Sequence, residues 1–303
     1  MPHNHSHHHH DHAPMNYNRA FSLGIALNIL FVIVEVFYGL YAHSLALIAD
    51  AGHNLSDVFS LLLAWGAYWL SKKAPTPTRT YGLKKVTVLA SLFSTLLLLV
   101  ALGVIFYEAV ERLQEPKEVN GLTVIVVAGV GVVINALTAW LFLHGSKSDL
   151  NVKAAYMHMV ADAAVSVGVV LAGVAIMFTG WLPIDPVLSM LIVVLVLMGT
   201  WGLLKDSLNL SIDAVPRNID PDAVKNYLLS LSGIVSLHDL HIWSLSTTQT
   251  ALSVHLVTRN EIPDNRLLAR IQEHLHHHFD IAHATIQMEK EDNNFQCSLK
   301  TEI

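Results

Sequence analysis

Cysteine and charge are both scarce in this chain of 303 residues. The single cysteine, Cys297, cannot form an intrachain disulfide, and it cannot supply a cysteine-based zinc finger within one copy. Charged side chains make up only 14% of the residues, whereas apolar side chains make up 53%. This balance argues against a wholly water-soluble globule.

Basic residues are not in excess either, because the formal net charge is −6 and residues 208–303 account for −5 of it. Binding to nucleic acid relies on a surplus of Lys and Arg, so we expect no nucleic acid partner. The sequence also has no glycine-rich phosphate loop of the Walker type, which argues against a nucleotide cofactor. The chain therefore divides into a nearly neutral apolar part and an acidic, more polar part.

Long apolar runs dominate the first two thirds of the chain. A helix needs roughly 20 apolar residues to cross a hydrocarbon core of about 30 Å. Six runs reach that length, at about 21–41, 45–70, 86–110, 121–143, 154–178 and 184–204. The sequence therefore predicts an integral membrane protein with six transmembrane helices. The first run is expected to remain in place, because it lacks the cleavage site of a signal peptide.

The distribution of Lys and Arg between the short loops predicts the orientation in the membrane. The loops after the second and fourth runs are rich in basic residues, namely Lys72, Lys73, Arg79, Lys84, Lys85, Lys147 and Lys153. The opposite loops offer only Arg112 and Lys117, among three glutamates. With six crossings, both termini are predicted to be cytoplasmic, and we expect the bacterial inner membrane as the location.

Residues 208–303 change in period and composition. Helical and strand-like patterns follow one another in the order αββαβ, at 220–231, 234–244, 250–258, 264–279 and 284–289. This order predicts a cytoplasmic α+β domain with a small antiparallel sheet and helices on one face. We therefore divide the chain into a tail at 1–18, a six-helix transmembrane domain at 19–207 and a cytoplasmic domain at 208–303.

Histidine is abundant, with 19 copies in the chain. Several of them form an N-terminal tract between His3 and His12, interrupted by Asn, Ser and Asp. These irregular interruptions favour a native segment over an expression tag. We expect this tail to bind metal loosely and to be dispensable for the main function.

A His-x-x-x-Asp spacing occurs twice within the apolar runs, as His53 with Asp57 and as His158 with Asp162. Residues four apart lie on one face of a helix, so each pair presents an imidazole and a carboxylate in the same direction. Because the two helices run in opposite directions, His53 is predicted to lie level with Asp162, and Asp57 level with His158.

Two nitrogen and two oxygen ligands suit tetrahedral Zn²⁺, with Co²⁺ as a competitor. The alternative is that the four residues are buried polar groups that satisfy one another. Ionisable groups at bilayer depth are costly and usually mark an ion or proton path, which favours the metal site. Asp50 lies one turn before His53, and the sequence leaves open whether it is an entry residue or a hydrated cap.

The run from Ser44 to Asp57, the matching His158 and Asp162, and the tract from Val235 to Trp243 resemble the cation diffusion facilitators. The similarity is greatest to the zinc/cobalt/cadmium-resistance subgroup. The resemblance implies a homodimer that exports divalent metal, chiefly Zn²⁺, in exchange for protons. It also implies a metallochaperone-like cytoplasmic domain with regulatory and dimerisation roles.

Four residues of the cytoplasmic domain form a candidate regulatory zinc site. A hairpin can bring His238 and His255 together, and His283 and Glu289 flank the last strand. The resemblance implies a metal role for His238, His255 and Glu289, whereas His283 falls near a variable ligand position. The alternative is that these strand histidines are solvated.

Two other functions stay open at the level of the sequence. An intramembrane zinc hydrolase needs a general-base glutamate beside its histidines, but Asn54 and Met159 stand in those positions. A metal receptor that signals through its cytoplasmic domain without transport has no feature that excludes it. The expected partners are accordingly a divalent metal ion, protons, the lipid bilayer and a second copy of the chain.

Overall fold

The computed structural model describes residues 17–143, 150–259 and 265–291. The histidine tract of the tail, Lys147 and Cys297 lie outside the described residues. Six long helices come first, and the elements of the cytoplasmic domain follow.

The six long helices match the predicted apolar runs closely. They are α1 (Tyr17–Tyr41), α2 (Leu45–Ser71), α3 (Val86–Gln114), α4 (Gly121–Leu143), α5 (Leu150–Thr179) and α6 (Ile184–Ser211). Among the described residues, four helices are long and apolar enough to cross a membrane: Val86–Gln114, Gly121–Leu143, Tyr156–Thr179 and Ile184–Ser211. The prediction of a membrane-spanning helical domain is therefore confirmed for these four.

The chain divides into two compact units, and the first comprises Met1–Val58 and Val104–Val193. In this unit α4 and α5 approach each other closely at a pair of glycines. A Cβ atom at Gly121 would lie only 2.9 Å from the carbonyl oxygen of Gly173. Small residues that allow such backbone approach are typical of helix contacts in membranes. The contact fixes α5, which carries two of the predicted ligands.

The beginning of α2, in the same unit, is capped by a residue of another helix. Asp185, in the first turn of α6, accepts hydrogen bonds from the Ser44 hydroxyl and from the backbone N–H of Leu45, the latter at 2.7 Å. The Ser44 hydroxyl in turn accepts from the N–H of Leu47. A carboxylate at this position satisfies free N–H groups and complements the helix dipole.

The second unit comprises Phe59–Gly103 and Val194–Ile303 and contains the cytoplasmic domain. After α6 come α7 (Pro221–Leu229), β1 (Ile234–Ser246), β2 (Gln249–Thr258), α8 (Asn265–Phe279) and β3 (Ile281–Lys290). The predicted order αββαβ is thus confirmed. The core of the domain contains Leu228 of α7, Leu252 of β2 and Ile271 of α8, all fully buried.

The direction of the last strand differs from the prediction. β1 and β2 are antiparallel, but β3 runs parallel to β2, so the sheet is mixed and not antiparallel throughout. The reason is the intervening helix: α8 carries the chain back along the sheet before β3 begins, which is the connection that parallel strands require. A short hairpin, which would give antiparallel strands, connects only β1 and β2.

The cap of α2 gives a first prediction. Asp185→Ala leaves the N–H groups of the first turn of α2 without their buried acceptor, so we expect a loss of about 1–3 kcal/mol in stability. Asp185→Asn keeps an acceptor oxygen and should lose less. Thermal unfolding in detergent measures both variants, and equal midpoints for Asp185→Ala and the unaltered protein would contradict the role of the cap.

Candidate metal centres

The four predicted membrane ligands form a ring in which nitrogen and oxygen alternate. The Nε2 atom of His53 lies 3.5 Å from Asp162 Oδ1 and 3.8 Å from Asp57 Oδ2. The Nε2 atom of His158 lies 3.1 Å from Asp57 Oδ2 and 3.6 Å from Asp162 Oδ2. In the structure, His53 therefore lies beside Asp162 and His158 beside Asp57, across α2 and α5.

These distances can be compared with the edge of a coordination tetrahedron. Ligands about 2.0–2.1 Å from a zinc ion lie roughly 3.3–3.4 Å apart in tetrahedral geometry. The four separations, from 3.1 to 3.8 Å, lie on either side of that value. The nitrogen–oxygen contacts of the ring are therefore close in length to those between neighbouring ligands of one zinc ion.

Exposure is unequal around the ring. The side chain of Asp162 is 4% exposed and that of His53 is 19% exposed, whereas Asp57 and His158 reach 36% and 42%. The centre is therefore closed on the side of Asp162 and open on the side of Asp57 and His158. A site with one open side can exchange its ion.

Two further carboxylates lie buried close to this centre. Glu35 of α1 and Asp50 of α2 have no exposed surface, and their carboxyl groups lie near each other. Glu35 Oε2 accepts from the Asn54 amide at 3.3 Å, and Asp50 Oδ2 accepts from the Ser166 hydroxyl at 3.1 Å. Asp50 is therefore not a hydrated cap.

The remaining oxygens of this pair, Glu35 Oε1 and Asp50 Oδ1, are buried and have no hydrogen-bond donor among the described residues. Two adjacent carboxylates at this depth cannot both carry a charge without a large cost. The sequence signal that could have identified the pair is a lone acidic residue in an otherwise apolar run, at Glu35.

The second centre lies in the cytoplasmic domain and consists of His238, His255 and Glu289. One ligand atom of each lies within 4.8 Å of the others. His238 and His255 are direct partners across β1 and β2, and Glu289 pairs with Val257, two residues beyond His255. The sheet register therefore creates the group, since alternate residues of a strand share a face.

The contacts of this group are short and shielded from solvent. His255 Nδ1 lies 2.8 Å from Glu289 Oε1, and His238 Nε2 lies 3.5 Å from Glu289 Oε2. The three side chains are only 10–13% exposed. His238 Nε2 is buried without a hydrogen bond among the described residues. A buried ring nitrogen without a hydrogen bond is available as a metal ligand.

Asp239 lies next to this group, although its sequence position alone did not identify it as a candidate ligand. It has a positive φ of 52° at an irregularity in the β1–β2 pairing between His238 and His241. Its carboxylate lies 3.0 Å from His241 Nε2 and 3.8 Å from His255 Nε2. The available signal was its position between two histidines in the tract His-Asp-Leu-His.

His283, the fourth candidate, is not part of the group within this chain. It lies at the beginning of β3, opposite Ala251, and its ring packs edge-on against Tyr81 with centroids 5.5 Å apart. It lies six positions before Glu289 along the strand, a distance of roughly 20 Å at about 3.3 Å per residue. The strand geometry thus prevents His283 from joining Glu289 in one chain.

Comparison with known proteins places both parts of the chain in one family. Residues 22–210 match the cation efflux transmembrane domain, and residues 216–291 match the cytoplasmic domain of cation efflux proteins. The cation efflux system protein CzcD of Alcaligenes sp. (strain CT14) is 38% identical over 277 residues, which cover 91% of this chain and 88% of that protein.

Two further relatives are similar over most of their length. The cadmium, cobalt and zinc/H(+)-K(+) antiporter of Bacillus subtilis is 36% identical, with 90% of each chain covered. The zinc transporter ZitB of Escherichia coli K12 is 37% identical, covering 95% of this chain and 93% of that protein. These relatives are transporters and not enzymes, which removes the hydrolase alternative. The chain belongs to the cation efflux family of membrane transporters, the cation diffusion facilitators.

Proposed function

We propose that this protein exports divalent metal cations, Zn²⁺ foremost, in exchange for protons. The observation that carries the proposal is the ring of His53, Asp57, His158 and Asp162, with alternating ligand types at 3.1–3.8 Å. Zinc is here the transported cargo and not a resident cofactor. Two relatives support the same class of substrate: the cadmium, cobalt and zinc/H(+)-K(+) antiporter of Bacillus subtilis and the zinc transporter ZitB of Escherichia coli.

The membrane arrangement in this proposal has six spans with both termini in the cytoplasm. Helices α1 and α2 are 25 and 27 residues long, which exceeds the roughly 20 residues that a span requires. The basic loop between α2 and α3 supports the cytoplasmic placement of the even-numbered loops. In this scheme 19–207 is the transport domain in the bacterial inner membrane, and 208–303 lies in the cytoplasm.

Proton exchange follows from the chemistry of the ligands. Imidazole must be deprotonated to bind zinc, so a metal ion that enters the ring displaces protons from His53 and His158. On the opposite side of the membrane, protons compete for the same nitrogens and release the ion. If the ring is reachable alternately from the two sides, exchange needs no nucleotide.

The cytoplasmic centre takes a regulatory role in this proposal. Its ligands His238, His255 and Glu289 lie in a polar domain and cannot complete a path across a bilayer. Metal bound there would link β1, β2 and β3 to one another. It would also favour the conformation of the transporter in which this centre binds metal more tightly.

A physical connection supports that coupling. Within the second unit, Lys85, the residue directly before α3, forms an ion pair with Asp213 and donates to the backbone oxygen of Ser244 in β1. The strand that carries His238 is therefore bonded to the loop that precedes a membrane helix. We further propose a homodimer, in which the cytoplasmic domains of two copies associate.

Loss of either ring carboxylate provides the main test of the transport site. Asp57→Ala or Asp162→Ala should reduce zinc uptake by sealed vesicles to the level of protein-free vesicles, because the ring then loses one of its two anionic ligands. The dimer should remain folded, since removing a buried charge also removes its cost. Asp206→Ala, which removes an ion-paired carboxylate of α6, is the control and should retain uptake. Normal uptake by either ring variant would refute the site.

The two histidines of the ring should set the metal preference. Replacing His53 or His158 by Asp makes the ligand set richer in oxygen, and carboxylate discriminates less than imidazole in favour of Zn²⁺. We expect transport of Cd²⁺ or Mn²⁺ to rise relative to Zn²⁺ in competition assays. An unchanged ratio would mean that the shape of the cavity, and not the ligand type, selects the ion.

The regulatory centre should affect the dependence on zinc more than the maximal rate. The double variant His238→Ala/His255→Ala should transport measurably at saturating zinc, with a shifted zinc concentration for half-maximal rate. His283→Ala, which lies outside the group, should leave that concentration unchanged. If the double variant were as inactive as Asp57→Ala at saturating zinc with the dimer intact, these histidines would belong to the delivery route itself.

A further inference from the structure

Helix α8 carries four histidines in its last turns that neither centre uses. They are His274, His276, His277 and His278. His274 and His278 are four residues apart and therefore lie on the same face, one turn from each other. Their ring centroids are 4.1 Å apart with an interplanar angle of 32°.

The orientation of the His274 ring is fixed by a neighbour on α7. Tyr227 stacks on it with a centroid distance of 3.9 Å and an interplanar angle of 13°. The ring of Phe279 also lies near His274, with the two ring centroids 5.8 Å apart. His278, by contrast, is exposed on the helix surface. One imidazole is thus packed against a neighbouring ring, and its partner is exposed to solvent.

An imidazole offers one nitrogen lone pair to a metal ion when it is neutral. Partial burial lowers the pKa of His274, and the proximity of His278 lowers it further. Both effects favour the form of the ring that can bind a metal ion.

We propose that His274 and His278 form a surface site for a divalent transition-metal ion of the Zn²⁺ type. Two histidines four apart on a helix are a recurrent zinc-binding unit, in which both nitrogens reach one ion. Water completes the coordination, as in sites with an open position. This site is separate from the group of His238, His255 and Glu289, because it lies on a helix and shares no residue with the sheet.

Binding at this site has a local mechanical consequence. An ion held by both rings joins residues 274 and 278, and so closes the last turn of α8 around Leu275, which is buried in the core of the domain. Opening that turn then requires release of the ion. The amides of the last turn should accordingly become more protected from solvent exchange when zinc is present.

Hydrogen exchange on the full-length protein, measured by mass spectrometry with and without Zn²⁺ alone, tests the site. At a zinc concentration ten times the dissociation constant, exchange in peptides that cover 272–279 should slow about ten-fold. The same slowing should persist in the double variant His238→Ala/His255→Ala, which separates this site from the regulatory centre.

Single substitutions within α8 provide the matched variants. His278→Ala removes an exposed ligand and should abolish the slowing without changing exchange in zinc-free protein. His274→Ala should abolish it as well, whereas His276→Ala should keep it, because the ring of His276 contacts His277 and not the pair. Absence of slowing in the unaltered protein, or slowing that survives His278→Ala, would overturn the proposal and leave a solvated pair of stacked rings.

Discussion

Placing ionisable side chains among apolar helices is costly, and the arrangement of the helices reduces that cost. Such groups are tolerated only if they contact one another, a bound ion or a proton. The ring on α2 and α5 meets that condition because each imidazole lies between two carboxylates. Glu35 and Asp50 meet it by their mutual proximity and by the Asn54 and Ser166 donors. The close approach of Gly121 to Gly173 and the Asp185 cap hold the helices that carry these groups.

The two centres differ in a way that matches their proposed roles. In the membrane ring, Asp57 and His158 are 36% and 42% exposed, and this is the side on which the proposed cargo would enter and leave. In the cytoplasmic group, every ligand is 13% exposed or less. An open ring suits a cargo that must be released, whereas a closed group suits an ion that remains bound and stabilises one conformation.

Much of this architecture could be predicted from the sequence, because it depends on apolar runs and on the spacing of residues close together in the chain. Apolar runs marked the long helices, and equal His-x-x-x-Asp spacings predicted which histidine lies opposite which aspartate. The direction of β3 could not be predicted in that way, since alternation of apolar residues is the same in parallel and antiparallel strands. The environment of Asp50 could not be predicted either, because Ser166, which donates a hydrogen bond to it, lies on α5, far away in the sequence. His283 was grouped with Glu289 by proximity in sequence, but an extended strand separates residues that a helix would bring together.

Metal transport coupled to protons can be measured directly in sealed vesicles. Sealed vesicles that contain only this protein are loaded with a zinc indicator and a pH indicator, and a proton gradient is imposed without any nucleotide. The proposed mechanism predicts that zinc accumulates against its own gradient while protons move in the opposite direction, and that accumulation stops when the proton gradient is collapsed. Zinc binding without flux, as expected of a receptor, or flux that is indifferent to the proton gradient, would contradict it.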